Sequence, residues 1–411
     1  MTKPRARPRV TILLAAATLP AMVNCTTTSA DGSADRDWPI GTPDTMWQDR
    51  NLPGSYRHLD EILPTRTIRA ADDPLRLKNG DPVGPIEYRF DGEARSLDDY
   101  ADAARMTGLI AVRNGEVRFE RYSRGATADS RLTGMSITKS VVSTLVGMAL
   151  HEGLIDDLSD PIDRYVPALA GNGHAGVTIE AVLQMSSGID FTEAYGDPGS
   201  DSARLWDAVA DPRSTPVTDI LLARGSQAPP DTRFNYNPLD TQALGWLVRS
   251  VTGDDLSTYL TESIWRPAGM RGDATWVLDG AGNTANEVAY CCLNARLRDW
   301  ARFGMLFAQD GGINGTRLLP ASWIERATEP NRTGRILCRV NSMTTIHSAI
   351  SITGGRSRNR NRLSSHWAST VSSSTWIPRR TSSSYRPRPG ETTGILNSNA
   401  SSTRSRNASG N

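Results

Sequence analysis

A strongly apolar run that follows Ser136 constrains the fold of this 411-residue chain more than any other feature. The run reads Ser140-Val-Val-Ser-Thr-Leu-Val-Gly-Met-Ala-Leu150, which has the length and composition of a helix, and Gly153 is placed to end it. Because so few of these side chains are polar, we expect the helix to lie inside a hydrophobic core. Any fold for the chain therefore has to bury the helix that begins at Ser136.

Strand and helix signals on either side predict a mixed fold. Two β-prone runs, at residues 108–113 and 116–122, are separated by Asn114-Gly115, the strongest short signal for a β-hairpin. Helical spacing recurs further along, at residues 177–185, 240–251, 256–265, 297–308 and 321–328. This order predicts an α/β fold of the α+β type. We expect an antiparallel sheet flanked by helices, with a helical subdomain and closing strands at the end.

The N-terminus predicts export. Residues 1–25 combine a positively charged start with an apolar stretch, residues 10–23, that is too short for a membrane-spanning helix of about 20 residues. Cys25 follows directly, where a lipoprotein would carry its lipid, and this is the one membrane link that we predict. Asn24 is an unusual neighbour for such a cysteine, so a plain cleaved secretory signal is left open.

Composition divides the rest of the chain and excludes some functions. Residues 26–85 are rich in Pro, Asp, Thr and Arg and predict a linker and an irregular arm before an ordered domain at residues 86–330. A net charge of +1 gives no reason to propose a nucleic-acid partner. The four cysteines form no disulfide framework or CxxC metal site, and adjacent Cys291 and Cys292 are not expected to bond to each other.

The residues with the clearest chemical signal are Ser136-Ile-Thr-Lys139, at the start of the apolar helix. Residues i and i+3 share a helix face, so the Lys139 amine can reach the Ser136 hydroxyl. The chain holds only three lysines, among dozens of arginines, and lysine, unlike arginine, can lose its proton. We therefore predict that Ser136 is a nucleophile and Lys139 its proton partner. The alternative is a capping serine followed by a solvated lysine.

Tyr236 is the third candidate. It lies in Arg233-Phe-Asn-Tyr-Asn-Pro238, directly before a predicted helix, where a phenol could turn towards the nucleophile and take part in proton transfer. A tyrosine that only packs its ring at a helix entrance is the alternative. None of the five histidines lies beside a candidate nucleophile in the sequence, so a Ser-His-Asp site or a histidine-rich metal site is not predicted.

The order of these motifs resembles the serine β-lactamase-related hydrolases, in particular the class C-like branch with the esterases and 6-aminohexanoate-dimer hydrolases. The series runs from Ser136-x-x-Lys139 through Met185-Ser-Ser-Gly-Ile-Asp190 and Tyr236-Asn237 to the segment at residues 291–304, within about residues 85–330. The resemblance implies a penicillin-binding-protein-like fold and an acyl-enzyme on Ser136, without a cofactor. One departure is Pro238, where class C β-lactamases keep an asparagine.

That departure favours a small amide or ester as substrate over a β-lactam. A D-alanyl-D-alanine carboxypeptidase or β-lactamase is left open, as is a penicillin-recognising lipoprotein without turnover. The sequence does not predict an oligomeric state.

The tail, residues 331–411, is rich in Arg, Ser, Thr and Asn and predicts disorder. The resemblance implies closing strands there, one with a glycine-bearing motif at the oxyanion site, and the tail shows no such motif. Codons compatible with residues 363–378, read from their third base, permit EFTLGVYGQFIYVDP. The same offset permits GYQY over residues 348–352 and DVVIV over 380–385. We therefore predict a frameshift between Glu329 and Gly334, which resequencing of the gene would test.

Without those strands the first hairpin would present an unpaired edge and the core would lose a face. We therefore expect the chain as written to fold poorly or to be inactive.

Overall fold

The computed structural model describes residues 38–90, 92–194, 197–211, 213–282 and 284–328, together with the backbone of a strand at Trp367–Val371. The export signal, the lipid site at Cys25 and the rest of the tail lie outside these residues, so they stay predictions. Within the described ranges, no helix combines the length and the apolar character that crossing a membrane requires.

The elements are numbered in chain order. The strands are β1 (Thr65–Ile68), β2 (Lys78–Asn79), β3 (Glu87–Phe90), β4 (Glu93–Ser96), β5 (Gly108–Arg113), β6 (Glu116–Tyr122), β7 (Arg131–Thr133), β8 (Ala274–Val277), β9 (Leu293–Arg296), β10 (Gly312–Ile313), β11 (Thr316–Arg317) and β12 (Trp367–Val371). The α-helices are α1 (Leu52–Ser55), α2 (Leu59–Ile62), α3 (Leu97–Ala103), α4 (Ile137–His151), α5 (Ile162–Tyr165), α6 (Ile179–Leu183), α7 (Asp201–Ala210), α8 (Val217–Leu222), α9 (Pro238–Thr252), α10 (Leu256–Leu260), α11 (Leu297–Ala308) and α12 (Ala321–Thr328). A 3₁₀-helix covers Pro167–Gly171, and a π-helical turn covers Thr261–Trp265.

Two four-stranded sheets carry the fold. One has the order β1-β8-β9-β7 and is antiparallel throughout. The other has the order β12-β5-β6-β2, and in it the pair β2–β6 is parallel. The helices α4 to α10 lie in sequence between β7 and β8, as a helical insertion between strands of one sheet. The predicted α+β architecture is confirmed.

The predicted hairpin is confirmed residue for residue. Strands β5 and β6 have the bounds read from the sequence, and they pair antiparallel with a bulge after Ala111. Asn114 and Gly115 both have positive φ, at 55° and 81°, as a type I′ turn requires.

The outer edge of this hairpin is not bare, which corrects the expectation of an unpaired edge. Strand β12 pairs antiparallel with β5, from Trp367 opposite Val112 to Val371 opposite Gly108. The backbone pairing satisfies N–H and C=O groups of β5 that an open edge would leave exposed.

Helix α4 lies at the centre of the core, as its composition predicts. Twelve of its fifteen residues are buried, and it packs against α9. Gly147 allows the Trp323 ring of α12 to approach, since a Cβ at this position would come within 2.3 Å of the ring. The start of α4, with Ser136 and Lys139, is therefore fixed from several sides.

The other helix predictions differ from the structure mainly at the boundaries. Helices α11 and α12 have the predicted bounds. Helix α6 ends earlier than predicted, at Leu183, and Thr178 caps it by accepting the Ala181 N–H across 3.1 Å. Helix α9 begins two residues earlier than predicted because Pro238 fits the first turn of a helix, where no N–H is needed.

Within residues 26–85, predicted as a linker and irregular arm, the described part contains short elements that join the fold. Strand β1 is the edge of the first sheet and pairs with β8. Met46, Leu59 and Ile68 are buried in the main core. Arg66 forms an ion pair with Glu287, which is fully buried. The weak periodicity of this region reflects short elements whose partners lie about two hundred residues away.

Candidate active site

Ser136 and Lys139 meet at the start of α4. Ser136 is the N-cap residue of the helix, and the Lys139 Nζ donates to the Ser136 Oγ across 2.9 Å. Lys139 is only 8% exposed, so its amine lies in the core rather than in water. The amine therefore reaches the hydroxyl, as the i, i+3 spacing predicts.

The backbone before Ser136 is held by tight packing. Met135 has a φ of 41°, in the left-handed region that L-residues rarely adopt. A Cβ on Gly134 would come within 2.4 Å of the Trp300 ring. Trp300 is fully buried and donates its indole N–H to the Leu132 carbonyl across 3.0 Å, so the ring has little freedom to move aside. The presentation of Ser136 therefore depends on glycine at position 134.

Most backbone amides at the start of α4 are already occupied. The N–H groups of residues 137, 138 and 139 donate to the carbonyls of residues 134, 135 and 136. The Ser136 N–H donates to none of the residues that the structure describes, which makes it the amide of this turn that a developing oxyanion can use.

Tyr236 lies on the loop before α9 and places its ring against Lys139. The Lys139 Nζ is 4.9 Å from the ring centroid, within the range of a cation–π contact. The Tyr236 hydroxyl is buried and has no hydrogen-bond partner among the described residues. The structure thus brings all three predicted side chains together, with the phenol of Tyr236 still able to form a hydrogen bond.

The loop after α6 fixes the position of Tyr236. The Asn235 N–H donates to the Met185 carbonyl across 2.8 Å, and the Asn237 N–H donates to the Met185 Sδ across 3.2 Å. The Asn237 side chain caps α9 by accepting the Leu239 N–H across 2.9 Å. The residues on both sides of Tyr236 are thereby held by one residue of the neighbouring loop.

Tyr290 is a residue of the site that sequence reasoning missed. Its carbonyl accepts a second hydrogen bond from the Lys139 Nζ, across 2.8 Å. Gln242 of α9 holds the chain just before it, by donating to the Glu287 carbonyl and accepting the Ala289 N–H. No local signal could have revealed these contacts, because Tyr290 lies 151 positions from Lys139.

The Tyr290 side chain also approaches Lys139, with its ring centroid 6.0 Å from the Nζ. Burial raises the pKa of the Tyr290 phenol far above its usual range. The phenol therefore keeps its proton at neutral pH and does not serve as a base.

Cys291 and Cys292 form a disulfide, so the prediction that these neighbours do not bond is wrong. Cys292 has a φ of 73°, a left-handed conformation that is rare for an L-residue and that accompanies the joining of adjacent side chains. Both residues are buried, and they follow directly after Tyr290. The disulfide therefore belongs to the segment that holds Lys139.

A buried ionisable pair lies behind the Tyr236 loop. The His174 Nε2 is 2.9 Å from the Asp240 Oδ1, and both residues are fully buried. Burial raises the pKa of Asp240, and the hydrogen bond from His174 opposes this effect. Because Asp240 lies in the first turn of α9, the pair connects the loop at residues 172–176 to the helix that follows Tyr236. Sequence reasoning missed this pair, whose members are 66 positions apart.

Comparison with known proteins identifies the family. The sequence profile of the family described as Beta-lactamase matches residues 95–335. The chain is 32% identical over 285 residues to a 6-aminohexanoate-dimer hydrolase of Paenarthrobacter ureafaciens, a match that covers 66% of this chain and 68% of that protein. It is 27% identical over 145 residues to an esterase/beta-lactamase of Mycobacterium tuberculosis, covering 34% of this chain and 30% of that protein.

A solved structure agrees with these matches. It is that of a Bacillus anthracis protein provisionally described as a 6-aminohexanoate-dimer hydrolase, which is 27% identical to this chain. The match has a TM-score of 0.63 and covers 70% of this chain and 77% of that one. With a family profile over more than half of its length and a relative above 30% identity, the chain belongs to the beta-lactamase family of hydrolases.

Proposed function

We propose that the protein hydrolyses a small amide or ester through an acyl-enzyme on Ser136. The observation that carries this proposal is the 2.9 Å hydrogen bond between the buried Lys139 amine and the Ser136 hydroxyl. A serine is a weak nucleophile until a neighbouring base takes its proton, and a lysine amine in its neutral form can do so.

The proposed reaction has two halves. In the first, the Ser136 Oγ attacks the carbonyl carbon, its proton passes to the Lys139 amine, and the oxyanion is bonded by the free Ser136 N–H. The leaving group then departs with a proton supplied by Lys139 and Tyr236. In the second half, water attacks the ester formed on Ser136 and the same groups return the protons, so the carboxylic acid leaves and the serine is restored.

The names of the relatives support the substrate class. One is a hydrolase of 6-aminohexanoate dimers and another an esterase/beta-lactamase. Pro238 stands where class C β-lactamases keep an asparagine, which favours a linear amide or an ester over a β-lactam. We therefore expect a chromogenic ester to be hydrolysed faster than nitrocefin. The reverse order would favour the β-lactamase alternative.

A fluorophosphonate probe tests the proposed nucleophile. Because β12 covers the hairpin edge that was expected to be open, we now expect the chain as written to be labelled at Ser136. The variant Ser136→Ala should lose labelling completely, since no other hydroxyl in the described ranges bonds to a lysine amine. Ser140→Ala, one turn further along α4, is the matched control and should keep its label. Labelling that survives Ser136→Ala, checked by peptide mass spectrometry, would exclude the proposal.

We propose further that the reading frame is displaced near residues 329–334 and that restoring it raises activity. Strand β12 supports this, since Trp367–Val371 pairs with β5 where the alternative frame reads glycine-valine-tyrosine-glycine. If that strand supplies an oxyanion donor, the restored chain should label about 10²- to 10³-fold faster. The restored chain with Ser136→Ala controls for unspecific labelling. Equal rates for the two frames would count against the idea.

A further inference from the structure

Residues 287–294, here called the strap, cross the start of α4 and touch it on both sides of Ser136. Before the serine, the Gly134 N–H donates to the Leu293 carbonyl across 2.8 Å. After it, the Leu293 N–H donates to the Thr138 Oγ1 across 3.2 Å, and the Lys139 Nζ donates to a carbonyl of the strap. The position of the strap therefore decides the geometry of the Ser136–Lys139 pair.

The strap carries the Cys291–Cys292 disulfide beside the acceptor of Lys139. Cys291 directly follows Tyr290, whose carbonyl accepts the Lys139 Nζ bond across 2.8 Å. The bond between the cysteines closes a small ring that contains their shared peptide group. Within that ring Cys292 keeps its φ of 73°, in the left-handed region that an L-residue without the cross-link would tend to leave.

Both cysteine carbonyls are anchored away from Lys139. The Cys291 carbonyl accepts the indole N–H of Trp276 across 3.2 Å. The Cys292 carbonyl accepts the Val277 N–H across 3.3 Å and the Asn294 Nδ2 across 3.1 Å. A change of φ at Cys292 turns the 291–292 peptide group, so it draws the Cys291 carbonyl away from Trp276 and reorients the preceding peptide group. The Tyr290 carbonyl is the one that bonds to Lys139.

We propose that the Cys291–Cys292 disulfide is a positioning element of the active site, which holds the Tyr290 carbonyl against Lys139 and makes acylation of Ser136 dependent on the redox state. A dithiol reductant supplies two electrons and two protons. The S–S bond breaks, two thiols form, and the reductant closes to its own disulfide. Cys292 then leaves the left-handed region, and Lys139 loses a fixed acceptor. The statement that acylation of Ser136 depends on the redox state rests on the function proposed above.

Two variants separate the conformation from the sulfur chemistry. Cys291→Ala/Cys292→Ala removes the cross-link and leaves an L-residue at a positive φ, whereas Cys291→Ala/Cys292→Gly removes it and leaves a residue that adopts this φ freely. We expect the first to be acylated about 10- to 100-fold more slowly, because small misplacements of reacting groups have effects of this size. We expect the glycine variant to recover most of the rate and to be insensitive to dithiothreitol.

Lys139 offers a readout that does not depend on activity. The chain holds only three lysines, Lys3, Lys78 and Lys139, so protein labelled with ¹³C-lysine gives three side-chain signals, and Lys139→Arg identifies the one from Lys139. The proposal expects this signal to shift on reduction and in the double-alanine variant, with the Lys78 signal unchanged. Mass spectrometry after alkylation, on a Cys25→Ser/Cys338→Ser background, counts the two thiols that reduction releases.

The outcomes distinguish the two proposals. A wild-type protein that shows the disulfide and the reduction-dependent Lys139 signal, but no acylation of Ser136, would overturn the proposed function and keep the positioning role. A fully reduced protein or a double-alanine variant with an unchanged Lys139 signal and acylation rate would overturn the positioning role.

Discussion

Lys139→Arg is expected to lower the rate of Ser136 acylation by about 10²- to 10⁴-fold, the usual contribution of a positioned proton acceptor. The guanidinium of arginine stays protonated at every pH at which a protein is folded, so it cannot take the proton of the Ser136 hydroxyl. Arginine is also a long side chain that can donate a hydrogen bond, so the variant removes the capacity to accept a proton and keeps a donor at this position. The measurement is the second-order rate constant of fluorophosphonate labelling, or kcat/KM for an ester substrate.

The matched control is Lys78→Arg, since Lys78 is exposed on β2 and touches none of the site residues described above. This variant should label at the wild-type rate. Thermal unfolding of both variants shows whether the arginine at 139 disturbs the core. A folded Lys139→Arg variant that labels within tenfold of wild type would refute the role of Lys139 as proton acceptor.

Arg302→Met is expected to destabilise the fold by about 3–5 kcal/mol, the cost of leaving a buried charge without its partner. Arg302 and Asp299 lie on one face of α11, 1% and 0% exposed, with 2.8 Å between Nη1 and Oδ1. The Asp299 carboxylate also accepts the N–H groups of Arg271 and Gly272. Arg302 in turn donates to the Leu75 carbonyl, so the pair joins the helix to the N-terminal arm. Denaturant unfolding measures the loss.

The loss of stability in Arg302→Met should increase as the pH rises. Burial raises the pKa of Asp299 and the Arg302 charge opposes this, so removing Arg302 raises that pKa further. The folded variant then holds a proton that the unfolded chain releases above about pH 4. Its free energy of unfolding should therefore fall relative to wild type as the pH rises from 4 towards 7. A constant difference over this range would mean that the effect is one of packing alone.

Two further variants test whether the loss of stability in Arg302→Met comes from the buried charge. Asp299→Asn/Arg302→Met removes both charges and should recover part of the loss of stability, since no buried charge is left without a partner. The recovery stays partial because the Arg271 and Gly272 N–H groups bond to different carboxylate oxygens, and the amide supplies only one oxygen. Arg213→Met breaks an exposed ion pair with Asp211 and should change stability by less than about 0.5 kcal/mol. Equal losses for Arg302→Met and Arg213→Met would contradict the argument from burial.

Local elements could be predicted wherever their signal was local. The hairpin follows from Asn114-Gly115, because both residues tolerate the positive φ that the turn needs. Helix α4 follows from its continuous apolar composition, and α11 from its spacing. Strand β1 could not be predicted because it is only four residues long, and such a strand gains its stability from β8 rather than from its own pattern.

The active site likewise has some features that the sequence predicts and others that it does not. The distance between Ser136 and Lys139 follows from helix geometry, which places i and i+3 on one face. The contacts of Lys139 with Tyr236 and Tyr290 do not follow from helix geometry. The periodicity of a sequence does not indicate which distant loop will cover the end of a helix. Tyr236 was predicted because the order of the motifs resembles that of a known family. Tyr290 belongs to no motif that was recognised, and its carbonyl acts through the backbone, where the side chain carries no signal.

The sequence by itself determined that a buried helix begins at a serine, with a lysine one turn later, since both statements depend on neighbours within a few residues. The tertiary structure alone decided what surrounds that pair. It brought the ring of Tyr236 and the carbonyl of Tyr290 to the lysine and joined Cys291 to Cys292 in the segment that carries this carbonyl. The physical reason is that local patterning sets which face of an element avoids water. The partner that covers this face is chosen by packing between segments about a hundred or more residues apart.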